Sequence, residues 1–212
     1  MIIEKEKAIE DSVLSIAKLM VAAATTAPKS KGFDDTEMKI VVGAGIKRIA
    51  DQIVESRKTE LRSPTFWYMG PDAESVRSSQ AIVLIGVYAK KPPLELDCGA
   101  CGYATCVEFK EAVKRGSTGL CVVKTLDLGI AVCSALVTAA VNLVDNRLMW
   151  SVGWEAKKLG LMKADLVLGI PLSATGSNIF VDRYLRYFLE RARKENRPIA
   201  EVLEEEGIRM GV

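Results

Sequence analysis

The chain has 212 residues, 49% hydrophobic and 26% charged, with 29 basic against 27 acidic side chains. That length is enough for one domain with a real core, and a net charge of +2 argues against nucleic acid as a partner, since phosphate binding needs a concentrated positive field. Histidine is absent, which excludes Ser-His-Asp and Cys-His catalysis, His-ligated zinc or non-haem iron, and a histidine pH switch.

The segment Met1 to Lys7 is charged from its fourth residue and lacks the apolar core of a signal peptide, so an intracellular, reducing setting (the cytoplasm) is expected. Residues 4–27 read as a helix, with Ile9, Val13, Ile16, Ala17, Met20 and Ala24 at helical spacing and Pro28 ending it. A basic loop, Lys29 to Asp35, follows. Asp35 or Thr36 is expected to cap a second helix through about Ser56, with Ile46, Ile49 and Ile53 facing inward. Pro64 to Met69 reads as a short strand or packed loop, Asp72 to Ser79 as a short helix, and the apolar run 81–88 as a buried strand. Lys90-Lys91-Pro92-Pro93 stops that strand.

After the cysteine region, 94–121, helices are expected at about 125–143 and 151–159. The seventeen uncharged residues from Leu128 to Val144 lie between Asp127 and Asp145, which predicts a buried core helix and not a membrane span. Asp145, Asn146 and Arg147 read as its cap and ion pair. Residues 165–170 form a second buried-strand candidate, followed by a polar loop from Pro171 to Asn178. An amphipathic helix from Asp182 to about Lys194 and a short helix between Pro198 and Gly207 complete the order. The predicted class is α+β, in mixed α/β layers. A single domain, 1–212, carries 94–121 as an insert.

The five cysteines divide into four and one. Cys98, Cys101, Cys106 and Cys121 follow the spacing C-x2-C-x4-C-x14-C, in which three thiolates wrap one face of a cluster and the fourth closes the cage. Gly99, Ala100, Gly102, Ala104 and Thr105 are small, so the backbone can approach closely and donate N–H groups to sulfur. The spacing favours a 4Fe-4S cluster. A four-cysteine zinc site is the rival, although zinc modules usually present two close pairs far apart. Four cysteine ligands leave no open iron, which favours electron transfer or a structural role. Cys133, on the apolar helix, reads as a small buried hydrophobe.

Two loops are candidate cofactor-binding sites. Lys29, Ser30 and Lys31 offer two cations and a hydroxyl to a phosphate, against the alternative of a solvated loop. Ser173, Thr175, Gly176, Ser177 and Asn178 form a donor-rich loop after a buried strand, against the alternative of a plain turn. Trp67, Tyr68, Tyr103 and Trp154 read as packing residues before stacking ones, and Arg147 or Arg183 as a possible anion clamp.

The motif Cys98-Gly-Ala-Cys101-Gly-Tyr-Ala-Thr-Cys106 with Cys121 resembles the 4Fe-4S motif of uncharacterised ferredoxin-domain-containing proteins of bacteria and archaea. The resemblance continues through 126–135, 144–147 and 169–183. It implies a cluster-binding protein without an assigned substrate. A more distant resemblance, carried by Ala24-Thr-Thr-Ala27-Pro28-Lys29-Ser30, the helix 128–143 and Gly169-Ile-Pro171, is to FMN-dependent nitroreductases. It implies a nitroreductase-like body, a homodimer and FMN at the subunit interface. The basic Arg-x-Ser segment that holds flavin phosphate in those enzymes has no match in residues 1–15. Three readings follow: an iron–sulfur redox protein exchanging electrons with a flavin or small molecule; a non-catalytic binding or sensor module with a structural 4Fe-4S or zinc site; and an enzyme whose 173–178 loop meets a small substrate.

Overall fold

The computed structural model describes residues 2–61, 63–91, 94–181 and 183–208; Met1, Pro92, Pro93 and Asp182, which figure in the expectations above, lie outside them. The elements are α1 (Lys5–Thr26), β1 (Thr36–Val41), α2 (Ala44–Thr59), α3 (Met69–Arg77), β2 (Ala81–Val87), α4 (Cys106–Lys114), α5 (Val122–Val141), β3 (Asp145–Asn146), α6 (Trp150–Lys158), β4 (Leu166–Ser173), α7 (Arg183–Glu195) and α8 (Ile199–Glu205). One antiparallel sheet, in the order β1-β2-β4-β3, runs through the middle.

β2 explains the layering. Every residue of it is buried, because successive side chains point to opposite faces and both faces are covered. Ala81, Val83, Ile85 and Val87 join Val13, Ala17 and Met20 of α1 and Leu128, Ala131 and Ala135 of α5. Ile82 and Leu84 join Ile49 and Ile53 of α2, Ala73 and Val76 of α3, and Val152 and Ala156 of α6. Phe188, Ala192, Val202 and Leu203 of α7 and α8 form a separate small cluster with Trp67, Tyr184 and Tyr187.

The mixed α+β class holds, with corrections to individual elements. Thr36 does not cap a helix: residues 36–41 pair with β2 from Thr36–Val87 to Val41–Ile82, and helix α2 starts only after Gly43, at φ 57°. Asp34 Oδ1 accepts both the N–H and the hydroxyl of Thr36, at 3.1 and 2.6 Å, so the acid turns the chain into the strand. Pro171 to Ser173 belong to β4, and Asp145–Asn146 are an edge strand against its end, not a helix cap. A helix absent from the expectation, α4, lies inside the cysteine segment.

Cys133 is corrected as well, because it is exposed and not buried. α5 buries only one face: in its most apolar 18-residue window 39% is buried. Leu128, Ala131, Val132, Ala135 and Ala139 face the core, while Leu126, Ile130, Val137 and Val141 stay exposed on the side of Cys133.

Candidate metal centre

The chain between β2 and α5 is bent by a series of left-handed residues: Glu95 (φ 51°), Asp97 (φ 44°), Gly99 (φ 69°) and Gly102 (φ 85°). Glycine takes this conformation without strain; of the two acids, Asp97 is tied down by its own side chain. Asp97 Oδ1 accepts the N–H of Cys106 at 2.6 Å, across the whole cysteine triplet. Gly102 N–H closes a turn on the Gly99 carbonyl at 3.0 Å.

Cys106 is the first residue of α4. Its neighbour Thr105 is the N-cap, taking the Glu108 N–H on Oγ1 at 3.2 Å, and Glu108 reaches back to the Ala104 N–H at 3.1 Å. Phe109, buried one turn later, meets the Tyr103 ring edge-on at 5.7 Å, and Tyr103 shares a hydrogen bond with Ser117 at 3.1 Å. Cys121 is the N-cap residue of α5, and its N–H donates to the Ala89 carbonyl at 3.1 Å. Two of the four cysteines therefore sit at helix N-termini, where the helix dipole favours negative charge.

Cys98, Cys101, Cys106 and Cys121 line one cavity, walled by Leu94, Tyr103 and Phe109. Among the described residues no three His, Cys, Asp or Glu side chains come together as ligands of a single ion. All four thiols border the same space. Four soft donors around a cavity, two of them at positive helix ends, fit an iron–sulfur cluster.

The remaining candidates fall elsewhere. Lys29 Nζ donates to the carbonyls of Ala24, Thr25 and Ala27 at 2.9, 2.7 and 3.0 Å, satisfying the C-terminal end of α1. Ser30 is bound to Asp127 of α5 and Lys31 to the Leu94 carbonyl, so this loop touches both segments that carry the cysteines. Ser173 is buried at the end of β4; Thr175 donates to the Ser177 carbonyl at 2.7 Å. Asn178 donates to Asp145 at 2.9 Å and accepts from the Phe180 N–H at 2.9 Å, and Gly176 lies in open space. Register separates the two loops: β1 begins opposite Val87, at the end of β2, while β4 ends opposite Ala81, at its start. Within one chain they lie at opposite ends of the sheet.

Trp67 packs on Tyr184 and Phe188 as read, but Trp154 is exposed and stacks on Trp150 at 4.9 Å at the surface, not in the core. Arg183 is buried, its guanidinium spent on Asp72, the Phe180 carbonyl and the Tyr184 hydroxyl. Burial pushes the Asp72 carboxyl up, with Ser151 and Arg183 pulling against it. Sequence reading missed Asp97 and Asp127 as supports of the centre. Each had a signal, one beside the first cysteine and one opening an apolar run.

Residues 117–183 match the family described as "Uncharacterized protein containing a ferredoxin domain", and residues 95–122, which hold all four cysteines, match the one described as "Putative Fe-S cluster". A protein of Archaeoglobus fulgidus, described only as "Uncharacterized protein", is 40% identical over 186 residues, covering 84% of this chain and 96% of the relative. Among solved structures the chain is similar to a nitroreductase-like family protein from Bacillus cereus, at 12% identity and a TM-score of 0.48, over 84% of this chain and 79% of that one. It is also similar to a nitroreductase with bound FMN from Desulfitobacterium hafniense, at 11% identity and a TM-score of 0.49, over 77% and 78%.

Proposed function

We propose that this chain is an iron–sulfur protein of the kind its two family matches describe, in which Cys98, Cys101, Cys106 and Cys121 hold a 4Fe-4S cluster used for electron transfer in the cytoplasm. The observation that carries this reading is the single cavity lined by all four cysteines of the C-x2-C-x4-C-x14-C set. When bound, such a cluster takes up and releases one electron. The chain's own residues do the rest. The four thiolates fill the ligand positions, the N-termini of α4 and α5 favour the negative charge, and Leu94 and Phe109 wall off the interior. Cys98 is exposed and gives the electron a way out.

The electron partner we propose is a flavin or a small molecule in the apolar groove between the end of α1 and the first half of α5. Ala23, Thr26, Pro28, Leu126, Ile130 and Cys133 line it. Supporting this place over the loop 29–31 is the engagement of the Lys29 ammonium by three protein carbonyls.

We propose also that a second copy of the chain closes this face. The seam Leu126, Ile130, Cys133, Ser134, Val137, Val141, exposed but for the half-buried Ser134, has palindromic spacing: an antiparallel α5 pair would set Leu126 on the partner's Val141 and Ile130 on the partner's Val137. Such self-complementarity is what a two-fold interface requires. Val137→Glu is expected to shift the mass in solution from dimer to monomer, read by light scattering; a wild-type chain that is monomeric at high concentration contradicts the pairing.

The test of the redox reading is anaerobic reduction followed by electron paramagnetic resonance, with acid extraction for FMN. A reducible cluster and released FMN are expected. A cluster that no flavin or nicotinamide donor reduces favours the structural-site reading, and no flavin after reconstitution removes FMN from the account.

A further inference from the structure

The loop between α1 and β1 touches the centre through one unusual residue. Lys31 stands in the left-handed region, at φ 55°, a conformation unfavourable for a lysine. Its Nζ donates to the Leu94 carbonyl at 2.8 Å, and Leu94 is a buried wall of the cysteine cavity. The neighbouring residue pins the loop. Ser30 N–H lies 3.1 Å from both carboxylate oxygens of Asp127, and its hydroxyl donates to Oδ1 at 2.9 Å. Asp127 is buried on α5, the helix that begins at Cys121. A strained residue held by contacts on both sides is a place to look for function.

Charges around the loop differ in how they are matched. Lys124, buried on α5, faces the Asp35 carboxylate at 2.5 Å. Lys29 lies 3.9 Å from Asp34. Lys31 instead rests on a carbonyl, which orients the ammonium without cancelling its charge. The acids Glu95 and Asp97 stand on the cysteine segment itself and oppose it.

We propose that Lys31 is a positioning residue that raises the reduction potential of the cluster by holding a cation at the cavity wall. This rests on the 4Fe-4S reading above. Reduction by dithionite adds one electron to the cluster and no proton, so negative charge grows there, and a nearby cation favours the reduced form. Lys31 is itself solvent-exposed, so the effect is partly screened and shrinks with added salt.

Lys31→Gln keeps a donor for the Leu94 carbonyl and removes the charge; Lys31→Arg keeps the charge. In a dithionite titration of iron-loaded protein at low salt, Lys31→Gln is expected to weaken reduction about fivefold, roughly 40 mV at 59 mV per decade. The gap closes as salt rises, and Lys31→Arg stays near wild type. Loss of iron from Lys31→Gln but not from Lys31→Arg also supports the charge role. A fully loaded Lys31→Gln with wild-type potential overturns the proposal and leaves the cluster standing, as does an equal shift in both variants or one that salt does not change. Wild-type protein without iron overturns the cluster reading and this inference with it.

Discussion

At Cys106 the side chain, the helix and the loop depend on one another. Its thiol faces the cavity, its N–H is given to Asp97, and its position on α4 is fixed by the Thr105 cap. Cys106→Ser is expected to abolish or degrade the cluster, read as lost iron and lost visible absorbance, while the circular dichroism of the sheet and its helices persists. The residue types announced this much: four cysteines at a recognisable spacing. They did not announce which face of α5 Cys133 occupies. That helix is apolar on both sides, with Leu128, Ala131 and Ala135 inward and Leu126, Ile130 and Val137 outward, so no polar stripe marked the solvent side.

Glu37 gives a second residue-scale prediction. Burial opposes its ionisation, but the N–H groups of Lys163 and Ala164, each at 2.8 Å, together with Lys39 and Tyr88, outweigh burial and hold its carboxyl below the ordinary value of 4.5. A carboxyl lowered in the folded state stabilises the fold above its unfolded value and loses that contribution as pH falls through the folded one. Stability should therefore drop as pH falls below 4.5. Glu37→Gln should flatten part of that drop in urea unfolding curves; an unchanged pH profile would show that Glu37 does not contribute.

At the scale of elements, β2 and the helical faces were legible because an apolar run of strand length and a period near 3.6 each have one simple reading. β1 was not. Thr36 to Val41 follows two acids that also make good helix caps, and pairing with β2 is a long-range fact that local pattern does not carry. α4 was hidden because its first residue is one of the spaced cysteines, so the segment was read as cysteine loop. One glycine on α6 decides a packing distance: a Cβ on Gly153 would lie 2.0 Å from the Val167 carbonyl oxygen. Backbone cannot step aside as a side-chain tip does. Gly153→Ala is expected to destabilise by about 2 kcal/mol or more, read from thermal or urea unfolding; a wild-type midpoint would mean that α6 slides freely on β4.

In the whole molecule, a three-layer body presents the cysteine segment beside the end of β2, where the loop after α1 reaches it through Lys31 and reaches α5 through Ser30. The loop from Lys29 to Asp35 is tied by these bonds to the cysteine segment and α5, and the 173–178 loop is tied to β3 at the far end of the sheet. Sequence carried the ligand set; only the register of β1, β2 and β4 revealed that the two loops are apart. The central claim is the identity of the metal, and one measurement addresses it: iron, acid-labile sulfide and zinc per chain in anaerobically purified protein. The account predicts brown protein with about four irons and four sulfides, lost on Cys121→Ser. Colourless protein carrying a single zinc on the same four cysteines would contradict it.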